Sequence, residues 1–155
     1  MTPTPELRRI HLHLPRVRLM SVNEMLRTNE HARAKSRDHL CGKLAYELAK
    51  TGQRPATPLR YVEIDVVLWT PYPFDVDSKV GACKFLLDSL TRPKSNLELV
   101  RQAQRQKRGL FIPLGVIHDD TDGEFGLGGC VRRLTVVQEM AQSHSLTLTL
   151  QEVLP

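Results

Sequence analysis

The sequence predicts a single α+β domain, spanning residues 1–155, in which a mixed β-sheet packs against two to three helices. Several short segments alternate apolar and polar residues, which is the pattern of a strand with one buried face. Other segments carry an apolar residue every three to four positions, as amphipathic helices do. The two kinds of segment follow no regular β-α-β order, which favours an α+β arrangement. With 41% apolar residues, the chain can form one domain with its own core.

The N-terminal half predicts a strand, a loop, a long helix and a second strand. Apolar residues on alternate positions indicate the first strand over residues 10–14. A loop is expected over residues 15–30. Leucines four residues apart then indicate a helix over residues 32–50, with Gly52 as its C-terminal stop. Alternation returns over residues 59–69, a strand that must end at the prolines that follow it.

The C-terminal half predicts two helices and three strands. The first helix is expected over residues 78–90. A serine and a glutamate with capping-box spacing, followed by helix formers and a glycine, indicate a short polar helix over residues 96–108. Apolar segments at 116–117 and 131–137 indicate strands, and alternating leucines indicate a last strand over residues 146–150.

The composition favours a polyanionic partner and a reducing compartment. The formal net charge is +5 and the isoelectric point is about 9.4. Clustered basic residues release counterions from a phosphate backbone, although many basic proteins gain only solubility from such a charge. Three cysteines without a CxxC pair argue against disulfides and a thiolate zinc site. With no signal-peptide pattern and no apolar run long enough to span a bilayer, we expect a cytoplasmic protein without a membrane partner.

Eight of the seventeen acidic residues fall between positions 75 and 124 of this basic chain. Apart from Glu98, they are Asp75, Asp77, Asp88, Asp119, Asp120, Asp122 and Glu124. Crowded carboxylates repel one another unless cations lie between them, and oxygen-rich clusters suit Mg²⁺ or Mn²⁺. Two such ions roughly 3.5–4 Å apart can hydrolyse a phosphodiester. The alternative is structural, with the first two aspartates capping a helix and the later ones forming an acidic turn.

One lysine is expected beside these carboxylates. If the helix predicted near residues 78–90 includes Asp77, then Asp77, Lys84 and Asp88 lie within about 20° of one stripe. Lys79 lies about 200° from Asp77 on the same helix, so it faces away from the acids. A lysine on the acidic stripe would neutralise the charge that develops on the phosphate during hydrolysis.

Four motifs follow one another along the chain. A Leu-Pro pair at 14–15 precedes Ser-Val-Asn at 21–23 and a basic stretch that reaches Arg37. The central motif is Asp-Val-Asp-Ser at 75–78 with Lys-Phe-Leu-Leu-Asp-Ser-Leu at 84–90. Gly-Val-Ile-His-Asp-Asp at 115–120 and an alternating strand at 146–150 complete the series. From about residue 10 to 153, this order resembles the RusA family of Holliday junction resolvases.

The resemblance implies a metal-dependent DNA endonuclease that resolves four-way junctions by symmetric phosphodiester hydrolysis in DNA recombination and repair. It implies a bacterial or phage-encoded homodimer that uses Mg²⁺ or Mn²⁺ and nicks two opposed strands. Asp75, Asp77 and Asp120 would carry the essential carboxylates, with Asp119 beside them as a further metal ligand. Lys84 would be the catalytic lysine.

The resemblance also implies DNA contacts near the first loop, and it leaves one inserted segment without a counterpart. The expected contacts are Asn23, Arg27, Arg33 and Lys35. About twenty residues are additional, in a basic insertion at about 92–114. Within the insertion, Arg101, Arg105 and Arg108 would share one helical face and contact the DNA backbone, and the alternative is a solvated helix face.

Two departures from the family pattern leave alternatives open. Ser78 stands where the family has asparagine. Three extra residues separate Asp77 from the lysine, so Lys84 and Lys79 both remain candidates for the catalytic role. The other function classes are a nuclease for flaps, forks or other branched DNA, and a DNA-binding module without catalysis.

Overall fold

The computed structural model describes residues 2–92, 111–120 and 130–155. Within these ranges the chain forms four strands and four helices. In chain order they are β1 (Arg9–Pro15), α1 (Val22–Arg27), α2 (Glu30–Thr51), β2 (Val62–Thr70), α3 (Val76–Ala82), α4 (Lys84–Leu90), β3 (Val131–Met140) and β4 (Ser145–Glu152). The predicted α+β class with a mixed sheet is confirmed.

The four strands form one sheet in the order β1-β4-β2-β3. Strand β4 pairs antiparallel with both β1 and β2, whereas β2 and β3 are parallel. Because β2 and β3 run in the same direction, Val62 lies opposite Val131 at their start and Thr70 lies opposite Met140 at their end. The two ends of this parallel pair are therefore distinct regions of the molecule.

The core lies between one face of the sheet and the helices. Along β2, every second residue is buried, and the same alternation runs through β1 and β4. Helix α2 contributes Leu40, Leu44 and Leu48 to this core, and α4 contributes Leu86 and Leu90. Each leucine that is fully buried contributes about 1.5–3 kcal/mol of hydrophobic free energy, so the repeat of leucines along α2 is what fixes this helix on the sheet.

Several predicted elements are confirmed with small shifts of their bounds. The four long strands are present, and α2 ends at Gly52, which has a φ of 67° and donates its N–H to the carbonyls of Leu48 and Ala49. The strand predicted at 116–117 is wrong, because this segment makes only a single parallel bridge between Ile117 and Leu59. The helix predicted over 96–108 lies outside the described residues.

The loop predicted over residues 15–30 is wrong in part, because it contains α1. Ser21 and Glu24 form a capping box: the Glu24 N–H donates to Oγ of Ser21 at 3.2 Å, and the Ser21 N–H donates to Oε1 of Glu24 at 3.4 Å. A reciprocal cap satisfies two backbone donors and stabilises a helix of only six residues.

The single helix predicted over residues 78–90 is also wrong, because it is divided at Cys83. The Cys83 N–H bonds the carbonyl of Val80, three residues earlier, and its ψ is −3°. This tight turn ends α3, and α4 begins at the next residue. Asp77 and Lys84 consequently lie on different helices, and the predicted stripe does not run through both. Among the described residues, no helix combines the length and the apolar character needed to cross a membrane.

Candidate active site

Asp75 and Asp77 lie where the chain leaves β2 and enters α3. Asp75 occupies the N-cap of α3 in an extended conformation, yet its side chain makes no capping hydrogen bond. Asp77 accepts from the N–H of Ser78 at 3.0 Å. Both aspartates are exposed. The structure thus brings these two carboxylates to one corner of the molecule, and contacts with the described residues use little of their acceptor capacity.

The turn before Asp75 is fixed by the side-chain amide of Gln138 on β3. Its Nε2 donates to the carbonyl of Tyr72 at 2.8 Å and bonds Oγ1 of Thr70. Its Oε1 accepts from the N–H of Phe74 at 2.9 Å. One glutamine therefore anchors the segment that carries Asp75 to the C-terminal end of β3.

Helix α1 packs directly against α3 and presents two of the predicted DNA contacts. A Cβ added to Gly81 of α3 would lie 2.0 Å from Cγ2 of Val22, so the two helices approach as closely as a glycine allows. Asn23 and Arg27 on α1 are both exposed. The structure therefore carries them on the helix beside the one that bears the exposed aspartates.

The other two predicted DNA contacts of this region, Arg33 and Lys35, differ in how accessible their side chains are. Lys35 on α2 is exposed. Arg33 is half-buried, and its Nη1 donates to the carbonyl of Met25 at 3.2 Å, near the end of α1. Arg33 therefore stabilises the junction of α1 and α2, and a phosphate would have to compete with that carbonyl.

Asp119 and Asp120 lie at the opposite end of the parallel strand pair. The carboxylate of Asp119 accepts from the N–H of Cys130, just before β3, at 3.4 Å. His118 donates its backbone N–H to Leu59, just before β2, at 2.9 Å. Asp120 follows and is exposed. These contacts place both aspartates at the N-terminal end of β2 and β3.

Asp75 and Asp77 consequently lie apart from Asp119 and Asp120 in this chain. Phe74, the residue before Asp75, is bonded to Gln138 of β3. Asp119 is bonded to Cys130, which precedes β3 and lies eight residues before Gln138. Eight residues of strand span about 26 Å, far more than one metal site can bridge. Within residues 2–92, 111–120 and 130–155, no three His, Cys, Asp or Glu side chains come together as a metal-binding group. Asp122 and Glu124 lie outside these ranges.

Lys84 is the first residue of α4 and pairs with Asp88. Its Nζ lies 3.3 Å from Oδ2 of Asp88, and 65% of the lysine side chain is exposed. An exposed i,i+4 pair contributes about 0.3–0.5 kcal/mol, so Asp88 does not hold the lysine firmly. Lys79 lies in the last turn of α3 and is half-buried.

Two polar clusters beside these positions were not predicted from the sequence. Near Asp75, side-chain hydrogen bonds of Arg18 with Tyr72 and, to a smaller extent, with Glu24 raise the pKa of Arg18. The ring of Tyr72 also meets the ring of His144 edge-on, with the ring centroids 5.4 Å apart. Near Asp119, Arg92 donates through Nε to the carbonyl of His118 at 2.9 Å.

The first cluster combines residues from separate segments of the chain, so no spacing in the sequence indicates it. In the second, the adjacent His118 and Asp119 were a visible signal, and their side chains lie 3.3 Å apart. The predicted contacts Arg101, Arg105 and Arg108 lie outside the described residues.

No protein-family model matches the chain, and no curated protein matches it.

Proposed function

We propose that this chain is a metal-dependent DNA endonuclease for branched DNA, with the four-way junction as its first candidate substrate. The observation that supports the proposal is that the carboxylate of Asp75 makes no capping hydrogen bond. This residue occupies a helix N-cap, where an aspartate ordinarily accepts a hydrogen bond from the first turn, but its carboxylate makes none. Capping therefore does not account for Asp75, and the pair that it forms with Asp77 is exposed.

Asp75 and Asp77 supply two carboxylates of the proposed site, and the remaining ones would come from a second protomer. Asp119 and Asp120 of the same chain lie at the other end of β3. In a two-fold dimer, the end of one protomer that bears Asp75 can meet the end of the other that bears Asp120. Such a dimer contains two equivalent sites, which suits a reaction on two opposed strands.

In the proposed dimer, Asp75 and Asp77 would hold Mg²⁺ or Mn²⁺ together with Asp120 of the partner subunit. Bound ions of this kind activate water and stabilise the leaving oxygen of a phosphodiester. The exposed ammonium of Lys84 would stabilise negative charge on the phosphate oxygens. Asn23 and Arg27 would bind backbone phosphates beside α3 and position the strand.

The direct test is cleavage of a synthetic four-way junction with Mg²⁺, beside a fork, a flap and a linear duplex. We expect paired nicks in the junction, none in EDTA, and none with Asp77→Asn. Asp38→Asn is the matched control, because Asp38 is an exposed aspartate of α2 whose ion pair is with the adjacent Arg37. Cleavage by Asp77→Asn at the rate of the Asp38→Asn control would refute the site, and a preference for forks or flaps would reassign the substrate.

Subunit mixing tests whether the site is shared between protomers. Asp77→Asn and Asp120→Asn should each be inactive alone. A heterodimer of the two retains one site with every carboxylate intact, so random mixing should restore about a quarter of the wild-type sites. If the mixture stays inactive although the subunits exchange, Asp77 of one protomer and Asp120 of the other do not belong to one shared site.

A DNA-binding module without catalysis is the second candidate function. The observation in its favour is that the described residues of one protomer assemble no metal-binding group. It predicts binding to branched DNA that Asp77→Asn leaves intact, with no cleavage in Mg²⁺ or Mn²⁺.

A further inference from the structure

The two edges of the sheet differ in how far side chains of the chain bond their outer backbone groups. At the β1 edge, the side chain of Gln53 acts as a substitute strand. Its Oε1 accepts from the N–H of His11 at 2.8 Å, and its Nε2 donates to the carbonyl of His11 at 2.9 Å. Lys43 donates to the carbonyl of Pro15 at 3.1 Å. The outer backbone of β1 is therefore partly occupied.

The β3 edge has no comparable cover in the described part of the chain. No side chain within residues 2–92, 111–120 and 130–155 bonds the backbone of β3, which is ten residues long and contains no proline. Val137 and Met140 on this strand are 41% and 69% exposed. A long, uncovered edge is a template for pairing with another strand.

We propose that the outer edge of β3 pairs antiparallel with β3 of a second copy of this chain, in a register centred on Val136. A two-fold axis perpendicular to the sheet relates the two copies and extends the sheet to eight strands. The choice of a second copy as the partner rests in part on the proposed function, which requires two protomers. The edge itself and the charges along it are independent of that function.

The alternation of faces limits the possible registers. Leu134 and Val136 point to the core face, whereas Arg133, Thr135, Val137 and Glu139 lie on the opposite face. Residues directly opposite each other in an antiparallel pair share a face. A two-fold axis therefore has to pass beside one residue, which then lies opposite its own copy.

Charge selects Val136 as that residue. Centring there places Arg133 opposite Glu139 of the partner subunit, twice per dimer, and Thr135 opposite Val137 of the partner subunit. Shifting the centre by one residue in either direction separates the arginine from the glutamate. Arg133 and Glu139 are both exposed, so both charges are accessible to the partner. Nη2 of Arg133 also lies 2.9 Å from Oε2 of Glu63 on the neighbouring strand. Opposite charges facing each other across a strand pair are favourable, and like charges are unfavourable.

The same pairing carries the proposed active site. In an antiparallel arrangement, the start of one β3 lies beside the end of the other. Asp119 is bonded just before the start of β3, and the segment that carries Asp75 is bonded near its end. The pairing thus brings the two separated groups of aspartates to the same end of the extended sheet, on opposite protomers.

Charge reversal with subunit mixing tests the interface without DNA or metal. Glu139→Arg alone and Arg133→Glu alone each place like charges at both contacts, so each should weaken dimerisation at least tenfold in sedimentation velocity. An equimolar mixture forms heterodimers in which both contacts join opposite charges. Its dissociation constant should return to within about threefold of the wild-type value. Thermal unfolding of each variant checks that the protomer is folded, since Arg133→Glu also removes the pair with Glu63.

A cross-link provides a second measurement that does not depend on charge. Val136→Cys places two cysteines opposite each other on the axis, with Cα atoms about 4.5–5.5 Å apart, which is within the range of a disulfide. Mild oxidation should give a covalent dimer. His13→Cys, on the occupied β1 edge, is the control and should stay uncross-linked under the same conditions.

The outcomes separate this interface from the nuclease proposal. A wild-type chain that is monomeric up to high micromolar concentration, charge variants that dimerise as the wild type does, or an uncross-linked Val136→Cys would each overturn the β3 pairing. A cross-linked dimer that cleaves no DNA would support the β3 interface and contradict the proposed nuclease activity. DNA cleavage by a dimer whose dissociation constant is unchanged in the charge variants would support the nuclease proposal and overturn the β3 pairing.

Discussion

Gly81 lies against Val22 so closely that a Cβ on Gly81 would come within 2.0 Å of the valine methyl group Cγ2. The contact joins α3, which bears Asp77, to α1, which bears Asn23. Alanine favours a helix by about 1 kcal/mol over glycine, but overpacking of this kind costs about 1–3 kcal/mol and valine has little rotamer freedom. The clash therefore outweighs the propensity.

We predict that Gly81→Ala lowers the free energy of unfolding by about 1–2 kcal/mol, measured by urea denaturation. Val22→Ala in the same chain should recover most of that loss, because it removes the methyl group that the new Cβ meets. A double-mutant cycle with no coupling between the two positions would show that α1 moves away freely. Gly42→Ala is the control, because no atom lies within 4 Å of its added Cβ.

Asp75→Asn should abolish cleavage without destabilising the protein. Its carboxylate makes no capping bond, and asparagine is as good an N-cap residue as aspartate. The free energy of unfolding should therefore change by less than about 0.5 kcal/mol. Binding to a four-way junction, measured in EDTA, should stay the same or tighten, because one negative charge near the phosphates is removed. A large loss of stability would mean that Asp75 has a structural role instead.

Lys84→Ala should slow single-turnover cleavage by at least about 100-fold, which corresponds to roughly 2.7 kcal/mol of transition-state stabilisation. Its effect on stability should stay near 0.5 kcal/mol, because the lost ion pair with Asp88 is exposed. Asp88→Asn, which removes the partner and keeps the lysine, is the control for that ion pair. Lys79→Ala should change the rate little, and the reverse ranking of the two lysines would assign the catalytic role to Lys79.

The pair of Arg8 and Glu152 should make stability depend on pH in the acidic range. Arg8 donates through Nη2 and Nε to the two carboxylate oxygens of Glu152 at 2.8 and 3.0 Å. This bonding holds the pKa of Glu152 below its usual value. The folded state therefore gains stability at neutral pH, and it loses that stability as the pH falls through the lowered pKa.

Glu152→Gln should accordingly cost about 1–2 kcal/mol at pH 7, and the difference from wild type should shrink progressively below about pH 4.3. Urea denaturation at a series of pH values measures this. Glu6→Gln, at an exposed position, is the control and should show no such trend. A constant difference across the acidic range would mean that the charge of Glu152 is not what stabilises the strand ends.

The sequence by itself determined the main secondary structure and the fold class. Alternation along β2 and the leucine repeat of α2 depend on which side chains can be removed from water, and that is a local property of the pattern. The stop at Gly52 was equally visible, because glycine adopts a positive φ without strain. The sequence also identified Asp75 and Asp77 as neighbours, since they are two residues apart.

Only the tertiary structure decided where the carboxylates lie relative to one another. Periodicity reports which face of an element is buried but not the direction in which neighbouring strands run. Because β2 and β3 are parallel, the chain has to return along α3 and α4 before β3 begins, and this return places Asp119 at the far end from Asp75. The break at Cys83, where the N–H bonds the carbonyl of Val80, and the close approach of Val22 to the neighbouring Gly81 are likewise features of the folded chain that no spacing in the sequence indicates.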